Sequence, residues 1–290
     1  MNQAKQLRAK ITAGEFVAAP GTFDGMSMLI ANQHNFAAHY ASGYWTAASR
    51  LGLPDVGIAS YTDFITCFAM LAKLSKAPLI ADADSGFGSV VNLMHAVRGY
   101  QDAGIAAMQI EDQPFPRFCG HSGHTEVVST EEMASRIGAA NEARGDGDMM
   151  IIARSDSRRS EGLDSALERL AHYGECGADI LFLEAPLDNG EIELAGQKLS
   201  KPLMINAAHG GFSPILDPGE YAKLGVSITI YPGAAPLTAM QAVDTFYSGL
   251  AQGSAQLSDA QLYDFPSMSK MLGMDAAIAA VQSHQRGTKD

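Results

Sequence analysis

Eight short, β-rich apolar runs recur along this chain, separated by helix-like stretches. They cover residues 16–22, 38–42, 78–84, 106–112, 149–156, 180–185, 202–208 and 226–232. Most are continuously apolar rather than alternating, the pattern of parallel strands buried on both faces. Of the stretches between them, 60–75 carries apolar residues on a 3.6-residue period. Those at 90–103, 163–176 and 218–224 run into Gly104, Gly177 and Gly225, each suited to end a helix and turn into the next strand. Thr130–Arg144 opens on Thr130-Glu131-Glu132, a cap with acids in the first turn. Eight strands alternating with helices predict a closed (β/α)8 barrel. An open doubly wound sheet is the rival. It normally stops at about five to seven strands and needs a glycine-rich phosphate turn after the first, which Gly21-Thr22-Phe23-Asp24-Gly25 is not.

The 290 residues suit one such domain. The tail, 237–290, has at least two more helical stretches, 238–250 and one beginning near 259–263. That exceeds what one closing helix requires, so the tail is expected to pack on another subunit. No Pro/Gly/Ser-rich linker marks a second domain, and 144–149 is a polar loop. With 47% hydrophobic and 18% charged residues, a sizeable core is expected. The net charge of -12 leaves no basic stripe for nucleic acid. An anionic substrate would need a local cation, either a metal or a few placed Arg and Lys. The polar N-terminus carries a helix over 3–11 and lacks the apolar core of a secretory signal. No apolar run approaches the ~20 residues that span a membrane. The three cysteines, Cys67, Cys119 and Cys176, read as reduced thiols. The cytoplasm is the expected location.

The strands turn acidic at their C-terminal ends. Strand three ends in Asp82-Ala83-Asp84, strand four in Glu111-Asp112-Gln113, strand five in Arg154-Ser155-Asp156 and strand six in Glu184. Strand seven ends in Asn206, with His209 just beyond. In a barrel such ends converge on one site. Any one of these residues is as readily a cap or a loop salt bridge, but capping does not explain five adjacent ends repeating the pattern. Asp82, Asp84 and Glu111 suggest a hard cation such as Mg2+. The lack of a His-rich set argues against zinc.

The loop 114–129 is long enough to be a lid. It carries Arg117-Phe118-Cys119-Gly120-His121, then Ser122-Gly123-His124. One Cys with nearby His is too few ligands for structural zinc. A thiol near an Arg and two His can have its pKa tuned, so Cys119 is a candidate catalytic group with a pKa near neutral. Cys67 and Cys176 lie on helical stretches and read as core fillers. His34, His39, His95, His172 and His284 read as surface or packing residues, and His124 as a lid hydrogen bond or a solvated side chain.

Several motifs together resemble the isocitrate lyase / phosphoenolpyruvate mutase superfamily, and its methylisocitrate lyase, dimethylmalate lyase and oxaloacetate hydrolase branch most closely. They are Tyr40-Ala41-Ser42-Gly43, Leu51-Gly52-Leu53-Pro54-Asp55, Asp82-Ala83-Asp84-Ser85-Gly86-Phe87-Gly88, Ile110-Glu111-Asp112-Gln113, Cys119-Gly120-His121, Ile152-Ala153-Arg154-Ser155-Asp156 and Tyr231-Pro232. The resemblance implies a Mg2+-dependent carbon–carbon lyase, with Mn2+ able to substitute, and a helix-swapped homotetramer. Asp84 would hold the metal directly, with Asp82 and Glu111 acting largely through bound waters. Ser42, Gly43 and Tyr44 would cradle the substrate carboxylate. Arg154 would pair with the oxo-acid end, while Glu184 and Asn206 complete the polar wall. Asp55 and Tyr40 would support the oxygen where charge develops. Cys119 would protonate the leaving carbanion. Arg117, Gly120 and His209 are further candidates for substrate contact, and His121 for catalysis.

The chain departs from the branch at three points. The lid reads Arg117-Phe118-Cys119 where the lyases usually carry two cations before the Cys. His209 stands where an acid is usual, and Tyr44-Trp45 replace glycines found in methylisocitrate lyases. Fewer cations and more aromatic bulk argue against a tricarboxylate and for a smaller or more apolar substrate, of the alkylmalate type. Hydrolysis or decarboxylation of oxaloacetate is the first alternative. A phosphonate mutase or hydrolase is the second, although its usual lid sequence is absent. A barrel that binds a ligand without turnover is the third.

Overall fold

The computed structural model describes residues 2–123, 126–256 and 262–286. His124 lies outside them. Eight parallel strands close on themselves in chain order. They are β1 (Val17–Thr22), β2 (His39–Ala41), β3 (Leu79–Asp82), β4 (Ala107–Glu111), β5 (Met150–Ser155), β6 (Ile180–Leu183), β7 (Leu203–Asn206) and β8 (Ile228–Tyr231). The ring closes where β1 meets β8, Val17 opposite Ile228 and Pro20 opposite Tyr231. The expected (β/α)8 barrel is the fold. Each expected run contains one strand and overreaches it, because burial continues past the last ladder hydrogen bond. Ala83 and Ala207, for example, are fully buried outside any strand.

The helices fall at Gln3–Thr12, Tyr61–Leu74, Val90–Asp102, Thr130–Arg144, Leu163–Glu175 and Pro218–Lys223, close to expectation. The helix Asn189–Lys198 was not expected. Its Asn189-Gly190 opening and internal Gly196 weaken the helical signal. In the fold Asp188 caps it by accepting from the Glu191 N–H, and Gly196 packs so closely that a Cβ there would meet the Leu224 carbonyl at 2.2 Å.

The strand pleat decides what enters the barrel. Ile80, Ala107, Met150, Ile152, Ile180, Phe182 and Met204 form one inner cluster. Their neighbours Ala81, Met108, Ile151, Ala153, Leu181 and Ile205 pack outward against the helices. Because side chains alternate with period 2, the next inward positions are Asp82, Gln109, Glu111, Arg154, Glu184 and Asn206. The same alternation that fills the barrel with aliphatic groups thus delivers polar groups to its C-terminal mouth. Ala4 and Leu7 of the first helix join the inner cluster beside Val17, Ala38 and Ala106 at the opposite end.

The chain forms two compact units, Met1–Leu237 and Thr238–Asp290. The second holds most of the helix Ala234–Ala251 and the helices Phe265–Met271 and Met274–Arg286. The helix start expected near 259–263 falls largely outside the described residues. No helix among the described residues is long and apolar enough to cross a membrane.

Candidate active site

A cavity of about 330 Å3 opens at the barrel mouth. Tyr40, Ser42, Tyr44, Asp55, Asp82, Arg117, Cys119, Gly120, His121, Arg154, Glu184, Asn206 and His209 all line it. Three expected site residues do not. The Gly43 N–H donates to Asp82 Oδ2 at 3.1 Å, which leaves it engaged rather than free for a substrate carboxylate. Glu111 is fully buried beneath the floor. Asp84, in the left-handed region at φ 47°, faces a neighbouring cavity of about 410 Å3 that it shares with Tyr61, His95, Phe115 and Arg117.

The lid is folded down, and its contacts account for the spacing Arg-x-Cys-Gly-His. The Gln113 side chain binds Phe118 at both its N–H and its carbonyl, at 3.0 and 2.9 Å. Arg117 turns inward to Glu111 and Asp55. His121 Nε2 lies 2.9 Å from Glu184 Oε1, while its Nδ1 accepts the Phe212 N–H at 3.1 Å. That second bond leaves the proton on Nε2, aimed at Glu184. Phe212 stacks on the His121 ring, and the Arg159 guanidinium lies 3.7 Å over the Phe212 ring. Gly120 is the point of closest approach: a Cβ there would sit 2.5 Å from Asp156 Oδ1 and 2.6 Å from Arg154 Nη2. Only a residue without a Cβ lets the lid settle this close to the Arg154–Asp156 pair. Gly120→Ala should lower kcat/KM by about a hundredfold, since a misplacement of order 1 Å costs that much, and should lower the melting temperature as the crowded pair shifts. Steady-state kinetics beside a melting curve checks it.

Arg154 spends its fork on Asp156, with Nε and Nη2 at 2.9 and 2.7 Å from the two carboxylate oxygens. Nη1 lies 3.5 Å from Glu111 Oε2, and Nη2 also lies 3.5 Å from Glu184 Oε1. The Tyr40 hydroxyl donates to Gln109 Oε1 at 2.9 Å, and Gln109 in turn donates to Asp82 at 3.1 Å. Asp156, Gln109 and Phe212 were not among the expected site residues. The period-2 pattern could have found Gln109, two positions from Glu111 on the same strand face, and Asp156 was legible only as the polar residue just past the end of β5. Phe212 had no sequence signal. His209 is exposed at the rim.

The electrostatics correct one expectation. Burial pushes the Cys119 thiol up to about 11, with Asp55 and Glu184 adding to the push, against the His121 backbone and Arg154. The thiol is thus a held proton rather than a near-neutral acid. Burial drives Asp84 well above the usual carboxylate range, and Arg117 only partly offsets it. It raises Asp82 to about 6 and Asp156 to about 7 against the pull of Arg117 and Arg154 respectively. Glu184 goes the other way: burial pushes it up, but Arg154 and His121 hold it at about 2. Cys67 is buried as expected, whereas Cys176 is half-buried at a helix end, 3.5 Å from His172.

Among the described residues, no three His, Cys, Asp or Glu side chains stand as a ready-made metal cage. The reason is local, since Arg117 lies among the acids expected to form one. The donor set still fits a hard cation. All the donors are oxygens, and Asp84 Oδ1 is buried without a hydrogen-bond partner. Six buried carboxylates (Asp55, Asp82, Asp84, Glu111, Asp156 and Glu184) face two buried guanidiniums, Arg117 and Arg154.

A closed barrel with acids, guanidiniums and a thiol-bearing lid at its C-terminal mouth is the architecture of a barrel enzyme. A family model described as phosphoenolpyruvate phosphomutase matches residues 7–251. The chain belongs to that family, and with it to the PEP mutase/isocitrate lyase superfamily of enzymes. It is similar to 2,3-dimethylmalate lyase from Eubacterium barkeri, 40% identical over 250 residues and 86% of each chain. Oxaloacetate acetylhydrolase in complex with 3,3-difluorooxalacetate superposes with a TM-score of 0.92 at 30% identity, covering 98% of this chain and 97% of that one. Phosphonopyruvate hydrolase in complex with oxalate and Mg++ superposes with a TM-score of 0.86 at 28% identity, covering 98% and 99%.

Proposed function

We propose that this chain is a divalent-metal-dependent carbon–carbon lyase that splits a small 2-hydroxy dicarboxylic acid into a 2-oxo acid and a shorter carboxylate. The observation that carries the reading is Cys119, a thiol kept protonated in the wall of a cavity it shares with Asp82, Arg154 and Glu184. The substrate hydroxyl gives its proton to a carboxylate of the cavity wall, which passes it to solvent, and becomes a carbonyl as the C2–C3 bond breaks. The electron pair of that bond stays on C3, delocalised into the adjoining carboxylate. The Cys119 S–H then gives C3 its proton, and solvent restores the thiol. Asp84, Asp82 and Glu111 would hold Mg2+, which supplies charge stabilisation to the substrate oxygens when bound. The folded lid excludes water, so the C3 carbanion meets the thiol first.

The wall beside Cys119 supports an alkyl-bearing substrate. Tyr44 and Trp45 stand edge to face at 4.9 Å, with Ile230, Pro232 and Leu237 lining the same cavity. Arg117 and Arg154, its lining guanidiniums among the described residues, are both already paired with protein carboxylates. A tricarboxylate carries one more carboxylate than these two guanidiniums could meet, even with both released. Trp45→Ala should therefore lower kcat/KM for the preferred alkylmalate by about tenfold or more, the range for lost methylene contacts, with less loss for plain malate. Competition assays with the paired substrates read this directly.

Hydrolysis of oxaloacetate is the second reading, favoured by the likeness to oxaloacetate acetylhydrolase. The deciding assay follows pyruvate and glyoxylate release from alkylmalates, methylisocitrate and isocitrate, and oxalate, acetate and pyruvate release from oxaloacetate, with and without Mg2+. Metal-dependent release from an alkylmalate supports the lyase, and turnover confined to oxaloacetate contradicts it. The same proposal includes a cytoplasmic homotetramer assembled through the 237–290 tail, which light scattering tests.

A further inference from the structure

Arg117 makes the contacts that a divalent cation would need. Its Nε and Nη2 take both oxygens of Glu111, at 2.6 and 3.1 Å. Its Nη1 reaches Asp55 and lies 3.5 Å from Asp84 Oδ1. Both Glu111 oxygens accept from Arg117 in this way, so the guanidinium competes for the charge that an ion or its bound waters would use. Arg117 is 2% exposed, although it belongs to a loop. It also borders both the 330 Å3 cavity and the neighbouring 410 Å3 cavity, standing as the partition between them. A displaced side chain therefore has space to enter on the substrate side.

We propose that Arg117 is an exchangeable counter-ion. It neutralises the metal-site carboxylates until a divalent cation binds, and that cation displaces it into the cavity to meet a substrate carboxylate. The inference rests on the metal-lyase reading above. Charge favours the exchange. A divalent ion brings two charges to Asp84, Asp82 and Glu111 where Arg117 brought one. The freed guanidinium then offers a planar fork that matches a carboxylate. Arg117 is two residues from Cys119, so its displacement moves the lid that carries the thiol. Cation loading would thus precede productive closure over substrate.

The test is trypsin cleavage of the Arg117–Phe118 bond in the intact wild-type protein, with and without Mn2+ alone. Fragments are followed by mass spectrometry, and Mn2+ affinity is measured by electron paramagnetic resonance. Cleavage of a buried bond tracks the population of its open form. Mn2+ is therefore expected to accelerate this one cleavage at least about tenfold. Arg117→Met should bind Mn2+ at least about tenfold tighter than wild type, as removal of a competitor predicts. Arg117→Lys, which keeps the charge but loses the fork, should fall between and serves if the Met variant does not fold. Bound Mn2+ that leaves the cleavage rate unchanged or slower, or variants that bind no tighter, would overturn the exchange alone. Failure of the wild type to bind Mn2+ at all would remove the metal reading and the exchange with it.

Discussion

In Asp84→Asn, turnover is expected to fall by about three orders of magnitude, the equivalent of the several kcal/mol that a Lewis acid lends to developing oxyanions. The fold should survive. Asp84 sits at φ 47°, a conformation Asn tolerates about as well as Asp. Asn also removes a carboxylate that burial already drives well above its usual range, with Asp82, Asp55 and Glu111 pushing the same way against Arg117. The melting temperature should therefore hold or rise while kcat collapses. Chelation of the wild type should produce the same loss, and chelation of the variant should add nothing. Steady-state rates in metal-buffered solutions, read beside thermal melts, decide it. A variant that turns over normally would remove Asp84 from the metal set.

Cys119→Ser is expected to lower kcat by about a hundredfold to ten-thousandfold with KM little changed, the usual range for a lost general acid. The pH dependence follows from the direction of the shift. Burial, with Asp55 and Glu184, raises the thiol from 9.0 to about 11. It therefore stays protonated through the neutral range and loses its proton only as pH approaches that value. The alkaline limb of the kcat profile should not reflect Cys119 at any pH below its pKa. Iodoacetamide at pH 8 should label it about a hundredfold more slowly than an unperturbed thiol, because two pKa units cost that factor in thiolate. Labelling followed by peptide mapping provides the check. Fast labelling at pH 8 would mean that the lid does not bury the thiol as described.

The barrel was legible because its cause is local: buried parallel strands need continuous apolar runs, and eight of them are written along the chain. The convergence of Asp82, Glu111, Arg154, Glu184 and Asn206 was legible too, since strand ends in a barrel share one mouth. The pairings within the mouth were not. The lid sequence sets Arg117 and His121 beside Cys119, which suggested a lowered thiol pKa. In three dimensions Arg117 turns away to Glu111 and Asp55, His121 turns to Glu184, and the thiol is left in the cavity wall facing acids. The same turn of Arg117 explains why three acids at neighbouring strand ends do not stand as a cage. The Phe212 contact to His121 spans 91 residues and depends on a loop with no periodic signal.

The most direct test of the account is to run the preferred substrate in D2O and, separately, in 18O-labelled water, and to analyse both products by mass spectrometry. Lysis with Cys119 as proton donor predicts one deuterium on the former C3 of the shorter acid, in a single stereochemical sense. It also predicts no 18O entering either product through bond cleavage. An 18O atom in a newly formed carboxylate would mean that water attacked a carbonyl, and the protein would be a hydrolase instead.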